Sequence, residues 1–302
     1  MSFNIDNIPN QEGKIAIVTG ANIGLGFETA KALAKKKVKV IMACRSIEKS
    51  NKAIDKIIKD IPNAKLETMH LDLSSQASIR QFTKTFKAEY TSLDLLINNA
   101  GVMLTPYDKT EDGFELQIGV NHLGHFLLTG LLLETMDTTK GARIISLSSM
   151  AHRMGTINFE DLQSEKSYNR LQAYNQSKLA CLMFALELDR RLKEKDSNTI
   201  SLAAHPGASP ETNLVRHMTK VESFLLAIFK PLISHSNENG ALPTLMAALH
   251  YPVKGGEYFG PTGFSETKGK PGKAKIAKRA MNKDVAKSLW DVSENLMGIS
   301  YL

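Results

Sequence analysis

Short apolar, β-branched runs recur along this chain with longer helical stretches between them, and that alternation constrains the fold more than any other feature. Residues 14–19, 38–43, 65–70, 93–98, 143–147 and 199–204 read as strands. Runs apolar on both faces fit strands of a buried parallel sheet, and parallel strands need helical crossovers to join them. The intervening segments supply these: a helix to about residue 36, one from Ser46 to about 60, and one starting at Ser74 or Ser75. A long helix centred on 114–135 and another over 171–193 follow. The expected architecture is α/β, a doubly wound parallel sheet with helices on both faces, forming a single domain over 1–302.

After Pro206 the pattern loosens. Apolar helical stretches at 223–233 and 239–250 precede a short strand near 257–259 and a last helix over about 283–296. We expect residues 208–236 to form a lid over the ligand site and about 260–302 to be a C-terminal extension. The Lys- and Gly-rich stretch 268–279 reads as a solvated loop.

Composition removes several classes of function. Cys44 and Cys181 make no CxxC pair, and no acid/His cluster has ligand spacing, so neither a disulfide framework nor a metal site is expected. A polar start without signal character places the chain in the cytoplasm. No apolar run reaches the roughly 20 residues of a membrane span, the nearest being 224–233, which Lys230 and Pro231 interrupt. A net charge of +7 favours anionic partners, of which a nucleotide phosphate is the mildest. Nucleic acid is not expected, because no aromatic residues interleave with the lysines of 35–37 or 268–279 as stacking platforms would.

The first strand runs into Thr19-Gly20-Ala-Asn22-Ile23-Gly24-Leu-Gly26, which opens the first helix. Glycines there let the backbone approach a pyrophosphate, whose charge the helix N-terminus favours. The same turn would also serve as a plain strand–helix junction, so its place after the first strand of a doubly wound chain is what gives it weight. Such a chain holds a dinucleotide beyond the carboxyl ends of its strands, with an acid after the second strand when the ribose is unphosphorylated. Cys44-Arg45-Ser46 stands at that point. An acid would repel a 2′-phosphate and Arg45 can grip one, which selects NADP(H) unless Arg45 is an ordinary exposed strand-end residue. Asp72 is placed either to accept from the adenine amino group or to cap the helix at Ser74. Asn98-Asn-Ala100-Gly101 ends the fourth strand, where the small residues admit a cofactor and Asn98 is expected to tie neighbouring strands.

Tyr174 and Lys178 stand four apart on a predicted helix and share a face. With seven Tyr and 38 Lys plus Arg, about one such pair arises by chance, so context has to support it. A free phenol titrates near pH 10, and only about one in a thousand is ionised at neutrality. A neighbouring ammonium and an oxidised nicotinamide both favour the phenolate. Such a pair can give a proton to a carbonyl oxygen as a hydride arrives, or take one from an alcohol in reverse. Ser149, at the end of the fifth strand, is expected to hold the substrate oxygen, with Ser148 pointing to the other face. Asn121 is a poor choice for a buried helix interior unless its polar groups are used. It either packs the helix or holds a water that relays protons to Lys178. Tyr168 has only the uncharged Gln172 four residues on, and His152 and His205 read as structural.

In joint order and spacing these motifs resemble the short-chain dehydrogenase/reductase family, in the branch of the retinol dehydrogenases and light-dependent protochlorophyllide reductases. The resemblance runs from about Gly13 to the last helix, through Ala43-Cys-Arg-Ser46, Leu71-Asp-Leu73, Val120-Asn-His-Leu-Gly124, Ser148-Ser-Met-Ala-His152, Tyr174-Asn-Gln-Ser-Lys178 and His205-Pro-Gly207. It implies a Rossmann-type fold and an oxidoreductase acting on a small carbonyl or alcohol, with Asn121, Ser149, Tyr174 and Lys178 in the catalytic positions. Gly20, Asn22, Ile23, Gly24, Gly26, Arg45, Asp72, Asn98, Ala100, Gly101, Pro206 and Gly207 fall at cofactor contacts, as do Tyr174 and Lys178. Ala-Ser-Pro-Glu-Thr-Asn-Leu214 departs from the retinol enzymes where relatives line the substrate pocket, and no membrane anchor is recognisable. The run 224–233 would serve as a lid, a dimer contact in a homo-oligomer, a membrane-surface patch or a buried helix. The alternative function is an idle NADP(H)-binding sensor or scaffold.

Overall fold

The structure is a computed structural model in which residues 3–208 and 235–302 are described. One eight-stranded sheet runs through it in the order β3-β2-β1-β4-β5-β6-β7-β8. Its strands are β1 (Ile15–Thr19), β2 (Lys39–Cys44), β3 (Leu66–His70), β4 (Leu95–Asn98), β5 (Arg143–Leu147), β6 (Ile200–Ala204), β7 (Tyr258–Pro261) and β8 (Pro271–Lys273). Every pairing is parallel except β7 with β8. Strand order reverses between β1 and β4, and a crevice opens beyond their carboxyl ends.

Period-two side-chain alternation divides the core. Ile17, Ile41, Leu96 and Ile144 face one layer, while Val18, Val40, Ile97, Ile145 and Leu202 face the other. The first layer packs on α3 (Gln76–Glu89), α4 (Leu116–Asp137), α5 (Arg170–Glu194) and α7 (Lys283–Met297); the second packs on α1 (Gly24–Lys35), α2 (Ile47–Asp60) and α6 (Asn237–Leu249). The sheet is therefore covered on both faces, as the alternation predicts. Local caps set the helix starts: Ser46 Oγ accepts from Lys49 N, Ser75 Oγ from Ser78 N, and Asn169 Oδ1 from both Leu171 N and Gln172 N.

Three expectations change. The stretch 268–279 is not simply a loop, because it carries β8, which pairs antiparallel through Gly260 and Gly272. Beyond β8, Lys275 N donates to Glu266 Oε1 and Ala277 N donates to His152 Nε2, so the segment is built into the molecule. The helix centred on 114–135 begins at Leu116, leaving Phe114 outside, and residues Gly119–Leu123 form a π-helical turn. Glu115 caps its start, accepting from Gln117 N and Ile118 N, and burial pushes its carboxyl above the usual range. Finally, Leu116–Asp137 has the length and composition to cross a membrane, with 22 residues of which 83% of the most apolar window is buried inside the protein. Asn121, His122, His125 and Glu134 interrupt it, so it is not an unbroken apolar run in sequence. The helix at 223–233 and nearly all of the lid region lie outside the described residues.

Candidate active site

The loop residues singled out for cofactor binding lie at the carboxyl ends of β1, β2, β3, β4 and β6, and Tyr174 and Lys178 stand on α5 at the end of β5. Gly20 adopts φ +66°, a left-handed conformation that a side chain disfavours. A Cβ on Gly26 would press on the Gly20 carbonyl oxygen and come within 2.5 Å of Asn99 Nδ2, so the turn and α1 can touch only through glycine. Ile23, at the N-cap of α1, makes no side-chain cap, leaving the first amides of the helix facing outward. Those amides, with Asn22, Ile23 and Gly24 around them, suit a pyrophosphate.

Arg45 extends into solvent from the end of β2, its side chain 71% exposed and its nearest acid Asp72 at 3.9 Å. Asp72 is used locally: Oδ1 accepts from both Ser74 N and Ser74 Oγ, while the helix cap itself is Ser75. Asn98 departs from its expected role. Its Nδ2 donates to Thr129 Oγ1 on α4, a strand-to-helix bond, and the tie between strands is made by Asn99, whose Nδ2 donates to Thr19 O at 2.7 Å.

Thr19 is a hub that sequence reasoning missed. Its Oγ1 accepts from Asn99 N and Ala100 N, both at 2.9 Å, and lies 2.9 Å from His125 Nε2. The other ring nitrogen, Nδ1, lies 3.0 Å from the carbonyl of Asn121 and must carry the hydrogen, so Nε2 accepts from Thr19. Burial pushes His125 down to about 4, which keeps this neutral tautomer. His125 thus joins the glycine turn to the π turn of α4. It sits four residues after Asn121, on the same helix face, and that spacing was the available signal.

Asn121 lies in the π turn, where its polar groups are fully employed. Oδ1 accepts from Val102 N, and Nδ2 donates to Val102 O and to Ser177 Oγ. Neither amide hydrogen is left for the relay water that the sequence suggested. Gly101 packs here as well: a Cβ on it would lie 3.0 Å from Asn121 Oδ1 and 3.5 Å from Lys178 Nζ.

The capped start of α5 fixes the phase that brings Tyr174 and Lys178 to the same edge. Both are buried, at 7% and 6% exposed. Lys178 Nζ lies 6.0 Å from the centre of the Tyr174 ring and donates to Leu147 O, at the end of β5, at 3.1 Å. Ser148 turns away, donating to Lys178 O, whereas Ser149 is half-buried at the head of the following turn, accepting from Ala151 N. Tyr168, by contrast, donates to Thr105 O and accepts from Gln117 Nε2, a structural role.

Pro206 and Gly207 complete the rim after β6. His205 Nδ1 accepts from Gly207 N, so Nε2 carries the hydrogen directed at Glu266 Oε2, which also pairs with Arg153. His152 is also committed: Nδ1 donates to Ser149 O and Nε2 accepts from Ala277 N. Both histidines are structural, as their sequence setting suggests. Both cysteines are buried with thiols pushed up by desolvation, and no metal-ligand cluster exists among the described residues.

With this geometry in hand, comparison decides the family. The model for short chain dehydrogenases matches residues 14–221. The chain belongs to that family. Human retinol dehydrogenase 12 is 44% identical over 289 residues, covering 96% of this chain and 88% of that protein. Mouse retinol dehydrogenase 14 is 40% identical over 306 residues, covering 95% and 86%. An uncharacterised Mycobacterium paratuberculosis protein superposes with a TM-score of 0.83 at 37% identity, each chain covered completely. Pseudomonas aeruginosa RhlG, solved with NADP in its active site, shares the fold at TM-score 0.65 and 21% identity over 82% of this chain and 94% of that one. The protein is a retinol dehydrogenase-like member of an oxidoreductase family that works with a nicotinamide cofactor.

Proposed function

We propose that this dehydrogenase moves a hydride between NADP(H) and a carbonyl or alcohol carried on a small, hydrophobic molecule. The observation that carries the reading is the buried pair at the end of β5: Tyr174 and Lys178 on one face of α5, with Gly101 and Asn121 packed at Lys178 and Ser149 heading the turn after β5. The glycine turn, the uncapped start of α1 and Arg45 fit a dinucleotide with a 2′-phosphate. When bound, that cofactor supplies or takes the hydride.

The chain's own residues do the rest. Ser149 Oγ donates to the substrate oxygen and holds it toward Tyr174. As the carbonyl carbon gains its hydride, the Tyr174 hydroxyl gives its proton to the oxygen, leaving an alcohol; oxidation reverses each movement. Lys178, kept in line by Leu147 O, stabilises the phenolate left behind and would hold the nicotinamide ribose of a bound cofactor. Asn121 holds Val102 and Ser177 so that the Gly101 backbone and α5 keep their spacing.

Retinol dehydrogenases among the relatives favour an apolar substrate, and the exposed Met154 and Leu171 near this rim are consistent with one. The test is a panel of aldehydes, ketones, quinones and retinoids with NADPH, followed by loss of nicotinamide absorbance. Consumption dependent on an apolar carbonyl is expected. A protein that binds NADPH yet turns over nothing on the panel would favour an idle sensor.

A further inference from the structure

Behind the catalytic residues lies a small cavity of about 10 Å³, whose lining includes Asn98, Asn121, His122, Ser146 and Leu147. That is roughly the room one water molecule needs. Asn98 Oδ1, His122 Nδ1 and Ser146 Oγ are buried, and each lacks a hydrogen-bond partner among the described residues. Their side chains are 3%, 2% and 3% exposed. Leaving three such groups unmet inside a core costs free energy for each, so native structures pair them through protein or through an ordered water.

The hydrogens can be assigned from the surrounding bonds. Ser293 donates its hydroxyl hydrogen to Leu289 O at 2.7 Å, so its 2.8 Å contact with His122 Nε2 makes that nitrogen the donor. A neutral imidazole then carries its lone pair on Nδ1. Burial, reinforced by the neighbouring His125, pushes His122 down to about 3 and keeps it neutral. Asn98 Nδ2 donates to Thr129 Oγ1, which directs Oδ1 inward as an acceptor. Ser146 retains a hydroxyl hydrogen to give. The three residues therefore present two acceptors and one donor. No carboxylate lines the cavity among the described residues, so a cation would stand uncompensated there.

We infer that this cavity is a built-in site for one water molecule, which donates to Asn98 Oδ1 and His122 Nδ1 and accepts from Ser146 Oγ. The water joins the end of β4, strand β5, the π turn of α4 and, through Ser293, helix α7. His122 is the neighbour of Asn121, so the bridge fixes the turn that orients Asn121 against Val102 and Ser177. His122 is accordingly a positioning residue; it reaches neither substrate nor cofactor. Lys178 is not among the lining residues, so this water is separate from any proton path through that ammonium.

A crystal structure of the full chain at about 1.8 Å tests the site independently of activity. A single density peak within about 2.6–3.2 Å of all three atoms is expected. An empty cavity, or the three atoms re-paired with one another, would overturn the inference. The positioning role is tested on His122→Gln, whose amide can still donate to Ser293 and accept from the water, and His122→Leu, which can do neither. Turnover should stay within about threefold for Gln and fall about tenfold or more for Leu, with the NADPH KM unchanged in both. Equal turnover in the two variants would remove the positioning role, and the wild-type density decides the site even if the Leu variant fails to fold.

Discussion

Replacing Arg45 with alanine should weaken the proposed preference for NADPH without disturbing the fold. The side chain is 71% exposed and its one ion-pair partner, Asp72, is 3.9 Å away. A surface pair of that kind contributes a few tenths of a kcal/mol at most, so Tm should not move measurably. A 2′-phosphate would receive charge-assisted hydrogen bonds from the guanidinium, about 1.5–3 kcal/mol for a hydrogen bond to a charged group. Exposure and salt screening place Arg45 at the low end, about 1.5 kcal/mol, which is about tenfold in kcat/KM. Initial rates with NADPH and NADH under one carbonyl substrate should show that tenfold loss for NADPH and little change for NADH. Arg45→Lys, retaining charge without the planar fork, should fall between. Raising the salt should narrow the wild-type preference and leave the variant unaffected. Equal losses with both cofactors, or no loss with NADPH, would refute the assignment of Arg45 to the phosphate.

Other perturbations follow from the same geometry. Gly26→Ala should abolish NADPH binding by calorimetry, because the added methyl has only the Gly20 carbonyl and Asn99 to displace. Ser149→Ala should lower kcat by about a hundredfold with the NADPH Kd unchanged, as expected for a donor to the reacting oxygen. Trp290, buried against Phe126 and Tyr301 at ring separations of 5.0 and 4.8 Å, should cost about 3–5 kcal/mol when replaced by alanine, a fall in Tm of roughly 10 °C by calorimetry. His122 and His125 are held neutral by burial, with folded values near 3 and 4 against 6.5 when exposed. The unfolded chain therefore takes up protons that the folded one refuses, and the stability these residues give above pH 6.5 is lost as pH falls toward 3. Each should lose about 2–3 kcal/mol by pH 4.5 in urea titrations, and His125→Asn should flatten that slope by about one proton.

Much of this was legible because it depends on short-range periodicity. Apolar runs such as 143–147 must be buried on both faces, and Ser46 marks a helix start that the structure confirms, as does the Ser74–Ser75 pair, of which Ser75 is the cap. Four-residue spacing likewise put Tyr174 and Lys178 on one face. What escaped depends on partners distant in sequence. Pro271–Lys273 has no strand pattern of its own and becomes one only because β7 offers an edge. The π turn at Asn121 follows from side-chain bonds to Val102 and Ser177, which no helical period encodes. Choosing Asn99 over Asn98 as the strand tie required knowing which side of β4 faces Thr19.

The proposed proton transfer at Tyr174 is tested most directly by Tyr174→Phe, measured for turnover by nicotinamide absorbance and for NADPH affinity by fluorescence titration on one preparation. Turnover should fall by about a hundredfold to ten-thousandfold while the NADPH Kd stays within a few-fold. Turnover equal to that of the wild type, with the phenol oxygen gone, would contradict the account.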